Sequence, residues 1–148
     1  MLFRSAEAER RHFWFVNRAA LLTWATRRYF PRMTTFLDVG CGTGGVVASL
    51  RRAFPHVMMV AGDADAGGFQ YAREHDAGVR LVQFDVHQPP FTIAFDVAGA
   101  FDVIEHLDDD CGALRAMCAA VRPGGGVDRK STRLNSSHVS ESRMPSSA

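Results

Sequence analysis

Acidic side chains give this chain its clearest candidate chemistry. Asp38, Asp63 and Asp85 each stand at or just beyond the end of a short apolar run. A carboxylate accepts hydrogen bonds from amino and hydroxyl groups, and it favours a positive charge nearby. These three residues are therefore candidates for binding a ligand that carries such groups.

A glycine-rich loop follows the first of these acids. After Phe-Leu-Asp-Val at 36–39, glycine occupies every second position at Gly40, Gly42 and Gly44, and helical spacing resumes at Val46. This pattern predicts a strand, a tight turn and a helix. Glycine permits positive φ and close approach of a ligand, and the start of a helix presents free N–H groups. The loop is predicted to hold a ligand.

The glycines alone leave two ligands open. Gly40, Gly42 and Gly45 also satisfy the G-x-G-x-x-G spacing of dinucleotide-binding loops. Asp38 argues against a dinucleotide, because a carboxylate at the strand tip would repel a pyrophosphate but suits an amino group or a sulfonium. A dinucleotide-binding oxidoreductase remains the alternative.

Residues 37–44, Leu-Asp-Val-Gly-Cys-Gly-Thr-Gly, resemble the first motif of the class I S-adenosylmethionine (SAM) dependent methyltransferases. Residues 12–18, 102–108 and 121–125 resemble the family's leader helix, the segment after its fourth strand and the turn before its fifth strand. The resemblance implies a Rossmann-like α/β fold, with a doubly wound, mostly parallel sheet and helices on both faces. It also implies SAM as cofactor and methyl transfer to a small-molecule acceptor.

Strands are predicted at 57–61, 79–84 and 95–101, and the ends of parallel strands converge on one crevice. Asp63 stands 19 residues after Gly44, which suits a ribose-binding acid, although Asp65 is a rival for that role. The resemblance assigns Asp85 and Val86 to the adenine; the other interpretation is that Asp85 caps a turn. The implied cofactor-binding residues are Asp38, Gly40, Cys41, Gly42, Gly44, Asp63, Ala64, Asp85, Val86 and Phe101.

His106 is the candidate catalytic base. An acceptor hydroxyl or acidic carbon must lose a proton, and histidine titrates in the right range, with Asp102 and Glu105 as weaker candidates. His12 and His87 rank lower, because each sits in a segment with an adequate structural explanation. The alternative is that His106 only starts or caps the next helix, whose predicted cap is Asp108 or Asp109. That helix is predicted to run to about residue 121, with a buried stripe of Leu114, Met117, Cys118 and Val121.

An amphipathic helix is predicted at 6–30, ending before Pro31. Phe13, Val16, Ala20 and Trp24 recur on one face. The arginines of this segment lie mostly elsewhere, at Arg10, Arg11, Arg18, Arg27 and Arg28. Aromatic residues at this spacing usually pack in a core, so we expect this face to pack on the sheet rather than to lie over the cofactor pocket.

The composition changes near Gly126. Residues 128–148 hold seven serines and the only lysine, and they resemble a translated sequencing adapter. We therefore divide the chain into a leader region at 1–34, a partial SAM-binding domain at 35–127 and a non-native disordered tail. The partial domain would supply about four strands, with strand four as an open apolar edge and marginal stability. A non-catalytic SAM-binding fragment and a truncated reading frame without a function are further alternatives.

Charge and cysteine content limit the classes of partner that the sequence supports. Without the tail, the chain has 13 basic and 14 acidic residues, which gives no electrostatic support for nucleic-acid binding. Three cysteines without a C-x-x-C pair, and no long apolar run, predict a reduced cytoplasmic protein without a metal or a membrane insertion. The oligomeric state and the methyl acceptor are not predicted.

Overall fold

A computed structural model describes residues 13–130 of the chain, and the side chains of residues 16–129. Its centre is one sheet of five parallel strands in the order β3-β2-β1-β4-β5. The strands are β1 (Thr35–Val39), β2 (Met58–Asp63), β3 (Arg80–Gln83), β4 (Phe95–Phe101) and β5 (Val121–Lys130). This architecture confirms the predicted α/β class and the parallel sheet.

Within residues 13–130, one helix precedes β1, and three helices and two short 3₁₀ turns connect the strands. The helices are α1 (Phe13–Tyr29), α2 (Gly45–Ala53), α3 (Phe69–His75) and α4 (Asp110–Ala120). The 3₁₀ turns, Ala66–Gly68 and Ile104–His106, follow β2 and β4. Asp65 and Asp109 cap the first 3₁₀ turn and α4, because their side chains accept hydrogen bonds from the backbone N–H groups of Gly67 and Gly112.

Alternation along β1 creates a core on each side of the sheet. All five residues of β1 are buried, and successive side chains point to opposite faces. Phe36 belongs to the cluster that packs against Leu22 of α1 and Leu50 of α2. Leu37 belongs to the opposite cluster, which includes Met117 of α4. The sheet is therefore covered by helices on both faces.

The fifth strand overturns the expectation that β4 is an open edge. Residues 127–130 of β5 pair with residues 98–101 of β4, and Asp128, Arg129 and Lys130 come from the segment assigned to the disordered tail. The register shifts where Phe95 pairs with Val121 but Val97 pairs with Gly126. The glycines at 124–126 are absorbed there as an irregularity within the strand. The rest of that tail, 131–148, lies outside the described residues.

The buried face of α1 differs from the expected one. Val16 and Trp24 are 58% and 59% exposed, so the expectation that they pack on the sheet is wrong. Leu22 and Thr26 are buried instead, and the Arg18 side chain is only 11% exposed. Residues 6–12 of the predicted helix, and the side chain of Phe13, lie outside the described part of the chain.

The buried stripe of α4 is also shifted. Ala113, Met117 and Ala120 are buried, whereas Cys118 is exposed and Val121 already belongs to β5. Of the predicted stripe, Met117 is buried, Leu114 and Val121 are partly buried against the same core, and the assignment of Cys118 is wrong. The helix ends at Ala120 and β5 begins at Val121, which agrees with the predicted helix end at about residue 121.

Candidate functional site

Two neighbouring cavities open where β1, β2, β3 and β4 end. The helix-side cavity, about 580 Å³, lies between α1, the glycine loop and α2. The strand-side cavity, about 500 Å³, lies between the residues that follow β2, β3 and β4. Gly40 lines both of them. The crevice predicted from the sequence is therefore present, but it is divided into two parts that meet at Gly40.

Asp38 is the buried acid of the helix-side cavity. Its side chain is 2% exposed, and its Oδ2 atom accepts no hydrogen bond from any described residue. Burial raises the pKa of Asp38 to about 7, the nearby Arg18 charge opposes that rise, and Asp63 adds to it. A buried acceptor without a partner is costly, so this oxygen suits a ligand that brings a donor.

The glycine loop adopts backbone conformations that favour glycine. Gly40, Gly42 and Gly44 all have positive φ, at 75°, 52° and 80°. A Cβ on Gly40 would lie 2.2 Å from a methyl carbon of Val103, and one on Gly44 would lie 2.5 Å from the Cβ of Ala72. Gly44 lines neither cavity, so its glycine is explained by packing against α3 rather than by contact with a ligand.

Asp63 fixes the glycine loop as well as lining the strand-side cavity. Its Oδ2 accepts a hydrogen bond from the Gly42 N–H at 2.9 Å, and its Oδ1 accepts one from the Asp65 N–H at 3.0 Å. Asp65 itself lines neither cavity, since its carboxylate caps the following turn. Of the two rivals for a ribose-binding acid, the geometry favours Asp63.

Asp85 lies in the strand-side cavity with His87. The backbone N–H of His87 donates to Asp85 Oδ1 at 2.8 Å, and the His87 ring nitrogen Nδ1 lies 2.9 Å from the same oxygen. These hydrogen bonds lower the pKa of Asp85, the backbone one contributing most, so its carboxylate is held in the charged form. Asp85 thus both closes a turn, as the simpler interpretation proposed, and faces the cavity.

An ion pair joins α1 to the end of β4. The guanidinium of Arg18 contacts Oδ2 of Asp102, which has a left-handed backbone with φ of 58°. Arg18 lines the helix-side cavity and Asp102 the strand-side cavity. The pair therefore holds α1 over the crevice. A helix over the cofactor pocket was the less favoured of the two positions considered for this segment.

The predicted site residues divide between the two cavities. Those lining the helix-side cavity are Asp38, Gly40, Cys41, Gly42 and Phe101. Those lining the strand-side cavity are Gly40, Asp63, Ala64, Asp85, Val86 and His106. His106 ends the second 3₁₀ turn, and its side chain is 75% exposed. The Cys41 thiol has a raised pKa because of burial and the charges of Asp38 and Asp63, so it is a poor nucleophile.

Sequence reasoning missed Arg18 and underrated His87. Arg18 was assigned to the polar face of α1, whereas it shares a buried face with Leu22 and Thr26 at a spacing of four residues. Of these three residues only Leu22 is large and apolar, so apolar periodicity gave no signal for this face. His87 was explained by its turn, and the carbonyl of Asp109, 22 residues away, could not be placed beside it from the sequence.

Two further findings concern residues 13–130. None of the helices in this part of the chain is long and apolar enough to cross a membrane. The same residues contain no group of three or more His, Cys, Asp or Glu side chains arranged to hold a metal ion.

One family model matches the chain from the start of β1 into β5. Residues 36–125, more than half of the chain, match the model of a methyltransferase domain. The chain is 30% identical over 95 residues to the ubiquinone biosynthesis O-methyltransferase of Aeromonas salmonicida, covering 62% of this chain and 40% of the relative. It is 34% identical over 106 residues to the protein of that name from Erwinia tasmaniensis, covering 68% and 43%. The chain thus spans about two fifths of these relatives.

Solved structures share the fold. A SAM-bound amino pentose methyltransferase from Micromonospora echinaspora superposes with a TM-score of 0.74 at 27% identity, over 88% of this chain and 56% of that one. A Methanococcus maripaludis protein superposes with a TM-score of 0.73 at 17% identity, over 86% and 62%. The Rossmann-like arrangement implied by the sequence resemblance is therefore confirmed.

Proposed function

Since this chain belongs to the methyltransferase domain family, we propose that it binds SAM across the two cavities and takes part in methyl transfer to a small molecule. The observation that carries the proposal is the pair of cavities that meet at Gly40. One holds the buried Oδ2 of Asp38, which accepts no hydrogen bond from the described residues, and the other is lined by Asp63, Asp85 and Asp102. SAM has a matching division into a methionine part and an adenosine part. The relatives' names support the reaction class.

The helix-side cavity suits the methionine part. Oδ2 of Asp38 is a buried acceptor in need of a donor, and an ammonium group would supply one together with a positive charge. Arg18 lines the same cavity, and its guanidinium, which pairs with Asp102, has five N–H donors in all and can also face the carboxylate. Gly40 and Gly42 line the same cavity without side chains and so leave room for the methylene chain that joins this end of the ligand to the sulfur.

The strand-side cavity suits the adenosine part. Asp63 still has lone pairs for ribose hydroxyls after accepting its two backbone hydrogen bonds. The His87 contacts of Asp85 use only Oδ1, which leaves Oδ2 for the adenine amino group. Val86 and Leu107 provide apolar surface for the ring.

Positioning is the main chemical task of these residues. When bound, SAM supplies a methyl group on a positively charged sulfur, which needs little further activation. The chain's own residues then have to hold the donor in line with the acceptor. His106, exposed at the rim of the strand-side cavity, is the proposed base where the acceptor must lose a proton. The relatives' names do not identify the methyl acceptor of this chain.

Calorimetric titration of the full chain with SAM, and separately with NAD, tests the proposal. SAM should bind and NAD should not, because Asp38 favours an ammonium or sulfonium ligand over a pyrophosphate. Asp38→Asn should weaken SAM binding, whereas Asp108→Asn, on an exposed residue outside both cavities, should not. Binding of NAD without SAM would contradict the proposal and favour an oxidoreductase.

SAM binding without methylation of any acceptor in a broad panel would instead favour a non-catalytic SAM-binding module. We further propose that the protein acts in the cytoplasm, a setting that suits its free thiols Cys41, Cys111 and Cys118. The near-neutral charge of residues 1–127 supports a small-molecule partner over a nucleic acid.

A further inference from the structure

His87 bridges two parts of the chain through both of its ring nitrogens. Nδ1 lies 2.9 Å from Oδ1 of Asp85, and Nε2 lies 2.9 Å from the backbone carbonyl oxygen of Asp109. Asp109 is the residue that caps α4. His87 therefore connects the loop after β3 to the start of α4, along one wall of the strand-side cavity.

Both partners of the ring are hydrogen-bond acceptors. A neutral imidazole has one N–H donor, whereas an imidazolium has two. The two contacts can both be hydrogen bonds only when His87 is protonated. The carbonyl of Asp109 and the carboxylate of Asp85 accordingly raise the pKa of His87 above its ordinary value of 6.5.

We propose that His87, as an imidazolium, is a positioning residue that fixes Asp85 for the adenine, so that SAM affinity acquires a component that falls as the pH rises. This inference rests on the proposed SAM-binding function. Deprotonation removes one of the two hydrogen bonds of the ring, either to Asp85 or to Asp109. In both cases the tie between the β3 loop and α4 is lost, and Asp85 Oδ2 is less well oriented.

Several other titratable groups face this region. Asp63 at the end of β2, and Asp102 and His106 after β4, line the same cavity, and Asp109 lies before α4. Asp38 in the other cavity titrates near pH 7 and should act in the opposite direction, because an ammonium ligand needs its carboxylate form. The test must therefore isolate His87 by comparing variants at each pH.

The experiment measures SAM dissociation constants by calorimetry from pH 5.5 to 8.5 for the unaltered full chain and for His87→Gln. Glutamine keeps a neutral donor at all these pH values. His56→Gln is the matched control, since His56 is exposed and precedes β2, at the opposite end of the sheet. In parallel, ¹⁵N NMR of the His87 ring reports its protonation without any ligand.

Below pH 6.5, His87→Gln should bind SAM about fivefold more weakly than the unaltered chain, and this ratio should approach one above the His87 pKa. The ring should carry protons on both nitrogens at pH 6.5, and His56→Gln should match the unaltered chain throughout. A ratio that does not change with pH, or a neutral ring at pH 6.5, overturns the inference. No SAM binding at any pH overturns the proposed function, and this inference with it.

Discussion

Asp63 and Gly42 are 21 residues apart in the sequence, and the Asp63 carboxylate accepts a hydrogen bond from the Gly42 backbone N–H at 2.9 Å. The second oxygen of Asp63 accepts from the Asp65 N–H. One side chain at the end of β2 thus fixes both the loop after β1 and the turn after its own strand. The acid assigned to a ligand also shapes the loop that would bind that ligand.

Asp63→Asn should weaken both the loop and ligand binding. The amide keeps one acceptor oxygen, so either Gly42 or Asp65 loses its partner, at a cost of about 1 kcal/mol in the free energy of unfolding. SAM affinity should fall by at least about tenfold, because the ribose contacts and the loop geometry both suffer. Denaturant unfolding and calorimetry measure these effects.

Asp65→Asn is the control for that variant. Its side chain accepts from Gly67 and lies outside both cavities, and asparagine caps helices nearly as well as aspartate. Equal SAM affinity for Asp63→Asn and Asp65→Asn would contradict the role given to Asp63.

Asp38 should make stability fall as the pH rises. Its pKa is about 7 in the folded chain against an ordinary 3.8, so between these values the folded state holds a proton that the unfolded state has released. Its stabilising contribution is complete below pH 3.8 and is lost as the pH rises through 7. Asp38→Asn lacks this loss and should therefore gain up to about 4 kcal/mol relative to the unaltered chain between pH 4 and 8.

Urea unfolding of both proteins at each pH measures the difference, and the other titrating groups cancel in that comparison. A stability difference that stays constant with pH would show that Asp38 is already ionised in the folded chain at acidic pH.

Gly44→Ala should be more destabilising than Gly124→Ala. Both glycines have positive φ, at 80° and 83°, so both substitutions cost about 1 kcal/mol for the backbone. At Gly44 the new methyl would also lie 2.5 Å from Ala72, whereas at Gly124 nothing lies within 4 Å. The free energy of unfolding should therefore fall by at least about 2 kcal/mol more for Gly44→Ala. Equal losses would mean that α3 moves away at little cost.

Much of the sheet could be predicted from local sequence. β4 begins and ends where its apolar run does, at Phe95 and Phe101, and the glycine loop follows β1 as the pattern at 36–45 indicates. Because parallel strands end on one side, the acids at Asp38, Asp63 and Asp85 were expected at the same crevice, and each lines one of its two cavities. These features depend on short-range patterns and on topology alone.

The remaining features depend on contacts between distant residues. The burial of Arg18 follows from its ion pair with Asp102, which lies 84 positions along the chain. Helical periodicity describes only residues within the helix, so it could not predict that pair. β5 was missed for a similar reason. The side chains at 128–130 are those of a polar tail. The pairing with β4 is made by backbone groups, which do not depend on that composition.

Truncation tests that dependence on β5. A chain that ends at Gly126 loses the four residues that pair with Ala98–Phe101, which should lower the free energy of unfolding by at least about 2 kcal/mol and promote aggregation through the exposed edge. A chain that ends at Lys130 keeps the strand and is the matched control. Equal denaturation midpoints for the two truncated chains would show that residues 127–130 do not stabilise β4.

The meeting point of the cavities is built from Gly40, with Val103 packed where a side chain would otherwise stand. In the proposed SAM complex, the part of the ligand that crosses this point would lie against the backbone of Gly40, with the methionine and adenosine parts on either side. Adenosine alone, or methionine alone, would occupy one compartment and forgo the contacts of the other. The pair of cavities therefore favours a ligand long enough to reach both of them. Two separate halves would bind with lower affinity than the joined molecule, because each would have to be captured independently.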